Sequence, residues 1–266
     1  QALQLPILGL IADMQSNEQD PKGVYVSKEP RSPVTEAFRT LRTNLEFTGM
    51  GKPLKTVLVT SLGPDEGKTT IAVNLAGILS QEGKRVILLD ADMRKPKVHH
   101  FIGLNNRIGL TSLFKSLDSI DEVSQSVEGL PSLKVITSGS LPPNPTELLN
   151  SELMISIFEK LKEWADIVII DSPPNLVADA QVISTKVDGV LFVVRPDFTQ
   201  ANAAKVSVES LQRIGAHMLG VVVNRIPLNR AYYFGNYQHY YPYNQKYYNH
   251  SYGQGQRGNH RRQKAD

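Results

Sequence analysis

Six short runs of β-branched and aliphatic residues recur along the chain, separated by longer amphipathic segments. Continuous apolar runs of this length are typical of strands buried on both faces of a parallel sheet. Helical patterns lie between them at about 69–82, 110–128, 145–164 and 199–214. The alternation predicts an α/β fold: a doubly wound, mostly parallel sheet flanked by helices. The predicted strands cover residues 56–60, 86–89, 134–137, 167–170, 190–194 and 219–223.

Composition divides the chain into three parts. The first 33 residues begin with an apolar run that proline and glycine interrupt, and then turn polar, which predicts a linker. A helical pattern follows from residue 34, with Phe38, Leu41 and Leu45 on one side. We therefore predict a linker over 1–33, a folded domain over 34–228 and a flexible, disordered tail over 229–266.

Nine of the ten tyrosines lie in one stretch of the predicted tail. A packed domain would scatter its tyrosines, because each one needs both apolar cover and a partner for its hydroxyl group. Here they lie among Asn, Gln, Gly and His without aliphatic periodicity. Two uses stay open at this point: a substrate of the domain, or a self-associating low-complexity tract. The nine are Tyr232, Tyr233, Tyr237, Tyr240, Tyr241, Tyr243, Tyr247, Tyr248 and Tyr252.

The formal net charge of +3 conceals two regions of opposite sign. The segment from Asn229 onward carries +5, so the rest of the chain carries −2. Basic character therefore belongs to the tail, and the body is not expected to bind nucleic acid. Cysteine is absent, which excludes disulfides and thiolate metal sites. No run reaches the ~18 apolar residues that a membrane span requires.

A phosphate-binding loop follows the first predicted strand. Gly67-Lys68-Thr69 is the closing half of the G-x-x-x-x-G-K-[ST] pattern, although Leu62 stands where the first glycine is usual. Backbone amides at a helix start bind phosphates, the lysine reaches the terminal phosphates, and the threonine hydroxyl binds Mg²⁺. The residues predicted to contact the nucleotide here are Gly63, Asp65, Glu66, Gly67, Lys68, Thr69 and Thr70.

Three aspartates follow two other predicted strands. Asp90 and Asp92 stand two residues apart after the run at 86–89, and Asp171 ends the run at 167–170. In doubly wound sheets ligands bind beyond the carboxyl ends of the strands. Carboxylates placed there can hold Mg²⁺ or its waters, and one of them can accept a proton. We predict an Mg-nucleotide site in which Thr69 and these three aspartates contact the metal.

These motifs together resemble the bacterial tyrosine kinases of capsule and exopolysaccharide export. The resemblance extends over nearly the whole chain and includes the sequence GSLPPNPTELL at 139–149 and VVVNR at 221–225. It makes 34–228 a P-loop tyrosine kinase domain of the deviant Walker type, and 1–33 a juxtamembrane segment. Glu36, Arg39 and Arg42 match the family's E-x-x-R-x-x-R helix, which the resemblance assigns to an oligomer interface. Asn224 and Arg225 follow the last predicted strand and could either touch the adenine or form a turn.

The resemblance implies a protein-tyrosine autokinase that uses ATP and Mg²⁺. It would phosphorylate the tail tyrosines of neighbouring subunits, in a homo-oligomer that is expected to be a ring, and so regulate polysaccharide polymerisation and export. It further implies a membrane-spanning activator, in the same chain or a separate subunit, and a tyrosine phosphatase as partners. The expected location is the cytoplasmic face of the bacterial membrane.

The rival interpretation is an ATPase switch with an adhesive tail, related to the septum-positioning and plasmid-partitioning ATPases. Those proteins carry a signature lysine where this chain has Gly63. The missing lysine and the tyrosine-rich tail favour the kinase.

Phosphoryl transfer to tyrosine needs a proton acceptor, because the phenol has an ordinary pKa of about 10. We predict Lys68, Asp90 and Asp92 as catalytic residues. Asp90 is the preferred proton acceptor and Asp92 the residue that holds the metal or assists, although the sequence allows these two roles to be exchanged.

Overall fold

A single sheet of eight strands organises the part of the chain that the computed structural model describes, residues 3–14, 23–51 and 53–227. The strand order is β1-β8-β7-β2-β6-β3-β5-β4. All neighbouring strands run parallel except β4 and β5, which are antiparallel. The strands are β1 (Ile7–Ala12), β2 (Thr56–Ser61), β3 (Val86–Asp90), β4 (Ser124–Val127), β5 (Leu130–Ile136), β6 (Ile167–Asp171), β7 (Gly189–Val194) and β8 (Met218–Ile226).

Helices cover the sheet, so the predicted doubly wound α/β class is confirmed. A short 3₁₀ turn at Leu117–Ser119 lies among them. The α-helices are α1 (Tyr25–Lys28), α2 (Pro33–Thr48), α3 (Lys68–Ser80), α4 (Val98–Ile102), α5 (Leu110–Leu113), α6 (Ile120–Val123), α7 (Pro145–Asn150), α8 (Glu152–Trp164), α9 (Ala178–Ser184) and α10 (Ala201–Arg213).

The core explains why the strand prediction succeeded. Every residue of β2, β3 and β6 is buried, as expected for strands covered on both faces. Leu58, Val168 and Ile170 pack into one apolar cluster with Ile157 and Leu161 of α8. All six predicted strands are present.

Helix α3 packs against β2, β3, β5 and β6. Its residues are buried almost throughout, including Asn74 and Ser80, so the helix begins and runs within the protein interior. The placement matters for function, because Lys68 and Thr69 are its first two residues.

The helix predicted over 34–48 is confirmed as α2. Ser32 caps it, with its hydroxyl oxygen accepting a hydrogen bond from the amide of Thr35 at 3.1 Å. Phe38, Leu41 and Leu45 form its buried side.

The helix predicted over 110–128 is wrong. Only two short helices and the 3₁₀ turn form there, and Ser124–Val127 becomes β4 in an antiparallel hairpin with β5. Gly129, at φ +75°, supplies the backbone conformation that the hairpin turn requires. Pairing with the sheet edge therefore overrides a helical pattern that serine and aspartate already weaken.

The helix predicted over 145–164 is two helices. Ser151 interrupts it with extended backbone angles, φ −70° and ψ 157°. Its hydroxyl oxygen accepts a hydrogen bond from the amide of Met154 at 3.3 Å and so caps α8.

The apolar run expected to belong to the linker instead contains a strand. Residues 7–12 form β1, which pairs in parallel with β8 at one edge of the sheet. Two glycines allow the close fit: a Cβ atom at Gly9 would meet Leu41 at 3.1 Å, and one at Gly220 would meet the carbonyl oxygen of Pro6 at 2.6 Å. Helix α9 was also absent from the sequence prediction.

The tail predicted over 229–266 lies outside the described residues, as do residues 15–22 of the linker. Within the described residues, no helix is long and apolar enough to cross a membrane.

Gly220→Ala should lower the free energy of unfolding by about 1–3 kcal/mol, because the added methyl group would force β1 away from β8. Gly51→Ala is the matched control, since a Cβ atom there meets nothing within 4 Å. Urea unfolding of both variants measures the difference. Equal midpoints for the two variants would show that β1 contributes little to the fold.

Candidate active site

The three predicted strand-end motifs come together at one edge of the sheet. Strand β6 lies between β2 and β3, and all three run parallel. The loop after β2, the aspartates after β3 and Asp171 at the end of β6 therefore share the carboxyl edge. This part of the site was predictable from the sequence.

The loop 62–67 has the backbone shape of a phosphate-binding loop. Gly67 precedes α3 with a left-handed conformation at φ +95°, and a Cβ atom there would lie 2.0 Å from Nδ2 of Asn224. Only glycine fits this position. Asp65 also has a positive φ, +60°. Lys68 and Thr69 follow at the buried start of α3, where backbone amides and the helix dipole favour an anion.

The Glu66 side chain is buried within the loop structure rather than extended towards the crevice. One carboxylate oxygen accepts a hydrogen bond from the amide of Gly63 at 2.9 Å, and the other accepts one from the hydroxyl group of Thr199. The side-chain amide of Asn224 donates a hydrogen bond to the backbone carbonyl oxygen of Glu66 at 3.0 Å. These contacts hold the loop in shape, so any effect of the Glu66 side chain on a nucleotide would be indirect.

Thr199 was missed by sequence reasoning. It follows β7 and lies 133 residues from Glu66 in the chain. A threonine in a loop carries no motif of its own, so only the strand order reveals the contact. Of the two residues predicted to touch the base, Asn224 is buried, and its Oδ1 atom has no hydrogen-bond partner within the described ranges, whereas Arg225 is exposed.

Thr69 and Asp171 form the centre of the site. The Thr69 hydroxyl donates to Oδ2 of Asp171 at 2.7 Å. The other carboxylate oxygen, Oδ1, is buried and has no hydrogen-bond partner among the residues that the structure describes. A buried oxygen without a donor is costly, and a divalent cation or its water would satisfy it. Thr69 and Asp171 therefore fit a magnesium site.

The metal site is not a preformed cage of carboxylates. Among the described residues, no group of three or more His, Asp or Glu side chains is arranged to hold a metal ion. Mg²⁺ commonly keeps several waters and takes one or two carboxylates together with substrate phosphates. The arrangement of Thr69 and Asp171 fits this second type of site.

Asp90 lies opposite Asp171 in the pairing of β3 with β6. Burial, together with the nearby charge of Asp171, raises the pKa of the Asp90 carboxyl well above its ordinary value. Burial likewise raises the pKa of Asp171 to about 7, and the Lys68 ammonium and the Thr69 hydroxyl partly offset this rise. Two neighbouring carboxyl groups thus resist ionising together, and a cation would relieve this repulsion.

The two aspartates of the Asp-x-Asp motif differ in their exposure to solvent. Asp90 is fully buried, and its two oxygens accept hydrogen bonds from the amides of Asp92 and Val98, both at 3.1 Å. Asp92 is half-buried, and its Oδ1 atom accepts hydrogen bonds from the backbone amides of Arg94 at 3.1 Å and Lys95 at 2.9 Å. Only Asp92 is open to a large incoming group.

An ion-pair network next to Asp92 was not anticipated. Arg94 donates to both oxygens of the buried Asp179, at 2.7 and 3.0 Å, and to the hydroxyl of Thr146 at 3.0 Å. Thr146 donates to Asp179 at 2.5 Å. Burial opposes ionisation of Asp179, but these hydrogen bonds hold the pKa of its carboxyl below the ordinary value. The network joins the Asp92 segment to α7 and α9.

The three residues of the predicted interface lie on α2. Glu36 and Arg39 form an ion pair with each other, and Arg39 also donates to the carbonyl oxygen of Pro30 at 3.1 Å. Arg42 pairs with Glu82 at 2.7 Å. Glu36 and Arg39 remain partly exposed, whereas Arg42 is engaged within its own subunit. The nine tail tyrosines lie outside the described residues.

Comparison with known proteins identifies the wider family and several similar chains. A family model described as ParA, NUBPL iron-transfer P-loop NTPase, matches residues 54–232. Tyrosine-protein kinase YwqD of Bacillus subtilis is 39% identical over 217 residues, which cover 81% of this chain and 91% of that protein. Putative tyrosine-protein kinase CapB of Staphylococcus aureus is 33% identical, with coverage of 79% and 93%. Tyrosine-protein kinase etk of Escherichia coli is 33% identical, but the match covers only 27% of its length.

Solved structures agree with these relatives. The chimerical protein CapA2B2 superposes with a TM-score of 0.77 at 38% identity, covering 85% of this chain and 96% of that one. The kinase domain of Escherichia coli ETK gives a TM-score of 0.78 at 28% identity, with coverage of 86% and 94%. The septum site-determining protein MinD of Pyrococcus horikoshii, at 19% identity and a TM-score of 0.55, shares the fold alone.

Asp171→Asn should change how the stability of the nucleotide-free protein depends on pH. Because the folded-state pKa of Asp171 is raised from 3.8 to about 7, the folded state retains a proton that the unfolded state releases. Stability is therefore lost as the pH rises between these values. At pH 8 the variant should gain up to about 4 kcal/mol, roughly 8–16 °C in melting temperature, and at pH 4 almost nothing.

The control for this measurement is Asp118→Asn. Asp118 is exposed, and its hydrogen bond with Lys160 lowers the pKa of its carboxyl. Thermal melts from pH 4 to pH 8 should show no gain for this control. The same melting temperature for Asp171→Asn and the parent at pH 8 would contradict a buried, hard-to-ionise Asp171.

Proposed function

The chain belongs to the bacterial tyrosine-protein kinases, and from that membership we propose that it transfers the γ-phosphate of ATP to tyrosines in the tail of a neighbouring copy. The observation that carries the proposal is the meeting of Lys68, Thr69 and Asp171 beneath the phosphate-binding loop. The nine tail tyrosines supply acceptors within the chain itself. Names of the similar proteins support the same chemistry.

The donor half of the reaction follows from the phosphate-binding loop. Backbone amides of the loop and of the α3 N-terminus would bind the phosphates, and Lys68 would stabilise charge on the oxygens around the bond that breaks. Thr69 and Asp171 would hold Mg²⁺, which supplies charge neutralisation on the β- and γ-phosphates. Phosphoryl transfer depends mainly on such positioning and charge stabilisation.

The acceptor half of the reaction needs one proton transfer. The tyrosine oxygen forms a bond to the γ-phosphorus while the bond from that phosphorus to the β–γ bridging oxygen breaks, and ADP leaves. The phenolic proton passes to a carboxylate. We assign this role to Asp92, because it is half-exposed whereas Asp90 is fully buried with both oxygens bound to amides. Asp90 would then support Asp171 and the metal waters, which exchanges the two roles preferred on sequence grounds.

The wider setting is proposed from the same relatives. The kinase would assemble through α2, with Glu36 and Arg39 reaching a neighbouring copy and Arg42 changing its partner from Glu82. A membrane-spanning activator, fused or separate, would place it at the cytoplasmic face of the membrane, and a tyrosine phosphatase would reset the tail. Phosphorylation of the tail would regulate export of the capsular or extracellular polysaccharide.

Incubation with Mg-ATP, followed by mass spectrometry of tail peptides, tests the activity directly. The parent should gain phosphate on several of the nine tyrosines, and Lys68→Met should reduce this at least ~100-fold by removing charge stabilisation at the transferring group. Hydrolysis of ATP by the parent with all tail tyrosines unmodified would contradict the kinase and favour an ATPase switch.

Asp92→Asn should lower the rate of tyrosine phosphorylation by roughly 10²–10⁴-fold, as expected for loss of a proton acceptor. Its affinity for ATP should stay within about twofold of the parent, because Asp92 lies outside the loop that binds the phosphates. Asp90→Asn should instead raise the Mg²⁺ concentration needed for half-maximal rate. If Asp92→Asn retains the parental rate while Asp90→Asn loses it, the assignment of the proton acceptor is reversed.

A further inference from the structure

Two leucine side chains are displayed to solvent on loops that border the catalytic edge. Leu176 is 68% exposed and follows Asp171 by five residues, and Leu141 is 59% exposed on the loop after β5. A single exposed leucine is ordinary on a protein surface, but these two both follow strands whose carboxyl ends form the catalytic edge, where ligands of such sheets bind. Neither side chain serves the phosphate loop or the metal site described above.

The Leu176 loop is held firmly at its base. The backbone amide of Asn175 donates to the carbonyl oxygen of Ser61 at 2.8 Å, and its side-chain amide donates to the hydroxyl of Ser207 at 2.7 Å. Asn175 is buried, yet the next residue, Leu176, points into solvent. On the other side of Leu176, the buried Asp179 anchors the chain through Arg94. The leucine is therefore displayed on a fixed segment.

The Arg94–Asp179–Thr146 network links the loop after β3 to the starts of α7 and α9. Arg94 stands two residues after Asp92, Asp179 stands three residues after Leu176, and Thr146 stands five residues after Leu141. The bonds among the three side chains are 2.5 to 3.0 Å long. Asp92, Leu176 and Leu141 are thus carried by segments that the network links to one another.

The Leu141 loop has an anchor of its own. Asn106 accepts a hydrogen bond from the amide of Gly139 at 3.0 Å and donates to the carbonyl oxygen of Gly139 at 3.2 Å. Two prolines, Pro142 and Pro143, follow and restrict the backbone. Both leucines therefore project from segments that lose little conformational entropy when a ligand binds.

We propose that Leu176 and Leu141 are the apolar walls that receive the phenol ring of the acceptor tyrosine, and that Leu176 is the stronger determinant of acceptor affinity. The occupant is the tyrosine-rich segment 232–252 of a second copy of this chain. A phenol has an apolar body and a polar tip, so its ring suits the two leucines while its hydroxyl group faces Asp92. A nucleotide phosphate, by contrast, gains nothing from aliphatic walls.

Two observations favour this occupant. The tail carries a charge of +5, which complements the half-exposed carboxylate of Asp92 and the phosphates of a bound ATP. Strand β8 runs parallel to β7 and β2, so the described chain ends at the catalytic edge, and 39 residues follow Pro227. Leu176 ranks above Leu141 because its loop begins directly after the metal-site residue Asp171, the last residue of β6.

The inference rests on the proposed kinase function, and its test separates the two. Full-length enzyme is mixed with isotopically labelled Lys68→Met protein as the substrate, and mass spectrometry follows phosphate on the labelled tail. The enzyme variants are Leu176→Ser and Leu141→Ser. Leu153→Ser is the matched control, since Leu153 is an exposed leucine on α8. Hydrolysis of ATP to ADP and free phosphate is measured in parallel.

Leu176→Ser should raise KM for the labelled substrate roughly fivefold, and Leu141→Ser roughly threefold, in keeping with the loss of one apolar contact each. Neither should change kcat for hydrolysis or the affinity for ATP, whereas a merely structural role would alter both. Leu153→Ser should match the parent in every measurement. Unchanged KM values, or an equal loss of hydrolysis, would overturn the inference while leaving the kinase intact. Failure of the unmodified enzyme to phosphorylate the labelled tail would overturn both.

Discussion

The site depends on two buried aspartate side chains that lie side by side at the C-terminal ends of neighbouring strands. The in-register pairing of β3 with β6 places Asp90 beside Asp171, and both are buried. Like charges in a medium of low polarity repel, so burial and proximity together oppose ionisation. Ionising both aspartates in the folded protein is therefore unfavourable, and a bound cation would offset this cost. If a metal nucleotide binds here as proposed, its binding would also relieve this repulsion.

Under the proposed function, two hydrogen-bonded frames flank the pair of Thr69 and Asp171: one around the phosphate loop, on the donor side, and one next to Asp92, on the acceptor side. On the donor side Glu66, Thr199 and Asn224 fix the phosphate loop through bonds to its backbone and to each other. On the acceptor side Arg94, Asp179 and Thr146 link the segments next to Asp92. Each frame uses at least one buried charged group whose hydrogen bonds are supplied by distant parts of the chain. Such networks hold a site in one arrangement, because leaving any of their buried polar groups without a hydrogen bond is costly.

Sequence reasoning reached the features whose signals are local. Continuous apolar runs identified β2, β3 and β6, and the residues that follow each run supplied the phosphate loop and the three aspartates. It missed β1, because Gly9 and Pro6 break the run and only the space beside Leu41 and β8 explains them. It misread 110–128, where pairing with β5 outweighs a helical pattern. The Arg94–Asp179 contact joins residues 85 positions apart, so no local sequence motif predicts it.

The two frames suggest where the proposed kinase would differ from the rival ATPase switch. The likeness to MinD at 19% identity concerns the fold alone, and the fold supplies the strand order that builds the donor side. A switch needs only water as acceptor, and water requires no apolar wall. A kinase for tyrosine must also hold a phenol ring close to the γ-phosphate. The residues that separate the two functions should therefore lie on the acceptor side, where Leu176 and Leu141 project from a frame that nucleotide binding does not require. Under the proposed function, the phosphate loop and its carboxylates would determine the donor, and the two exposed leucines would determine the acceptor.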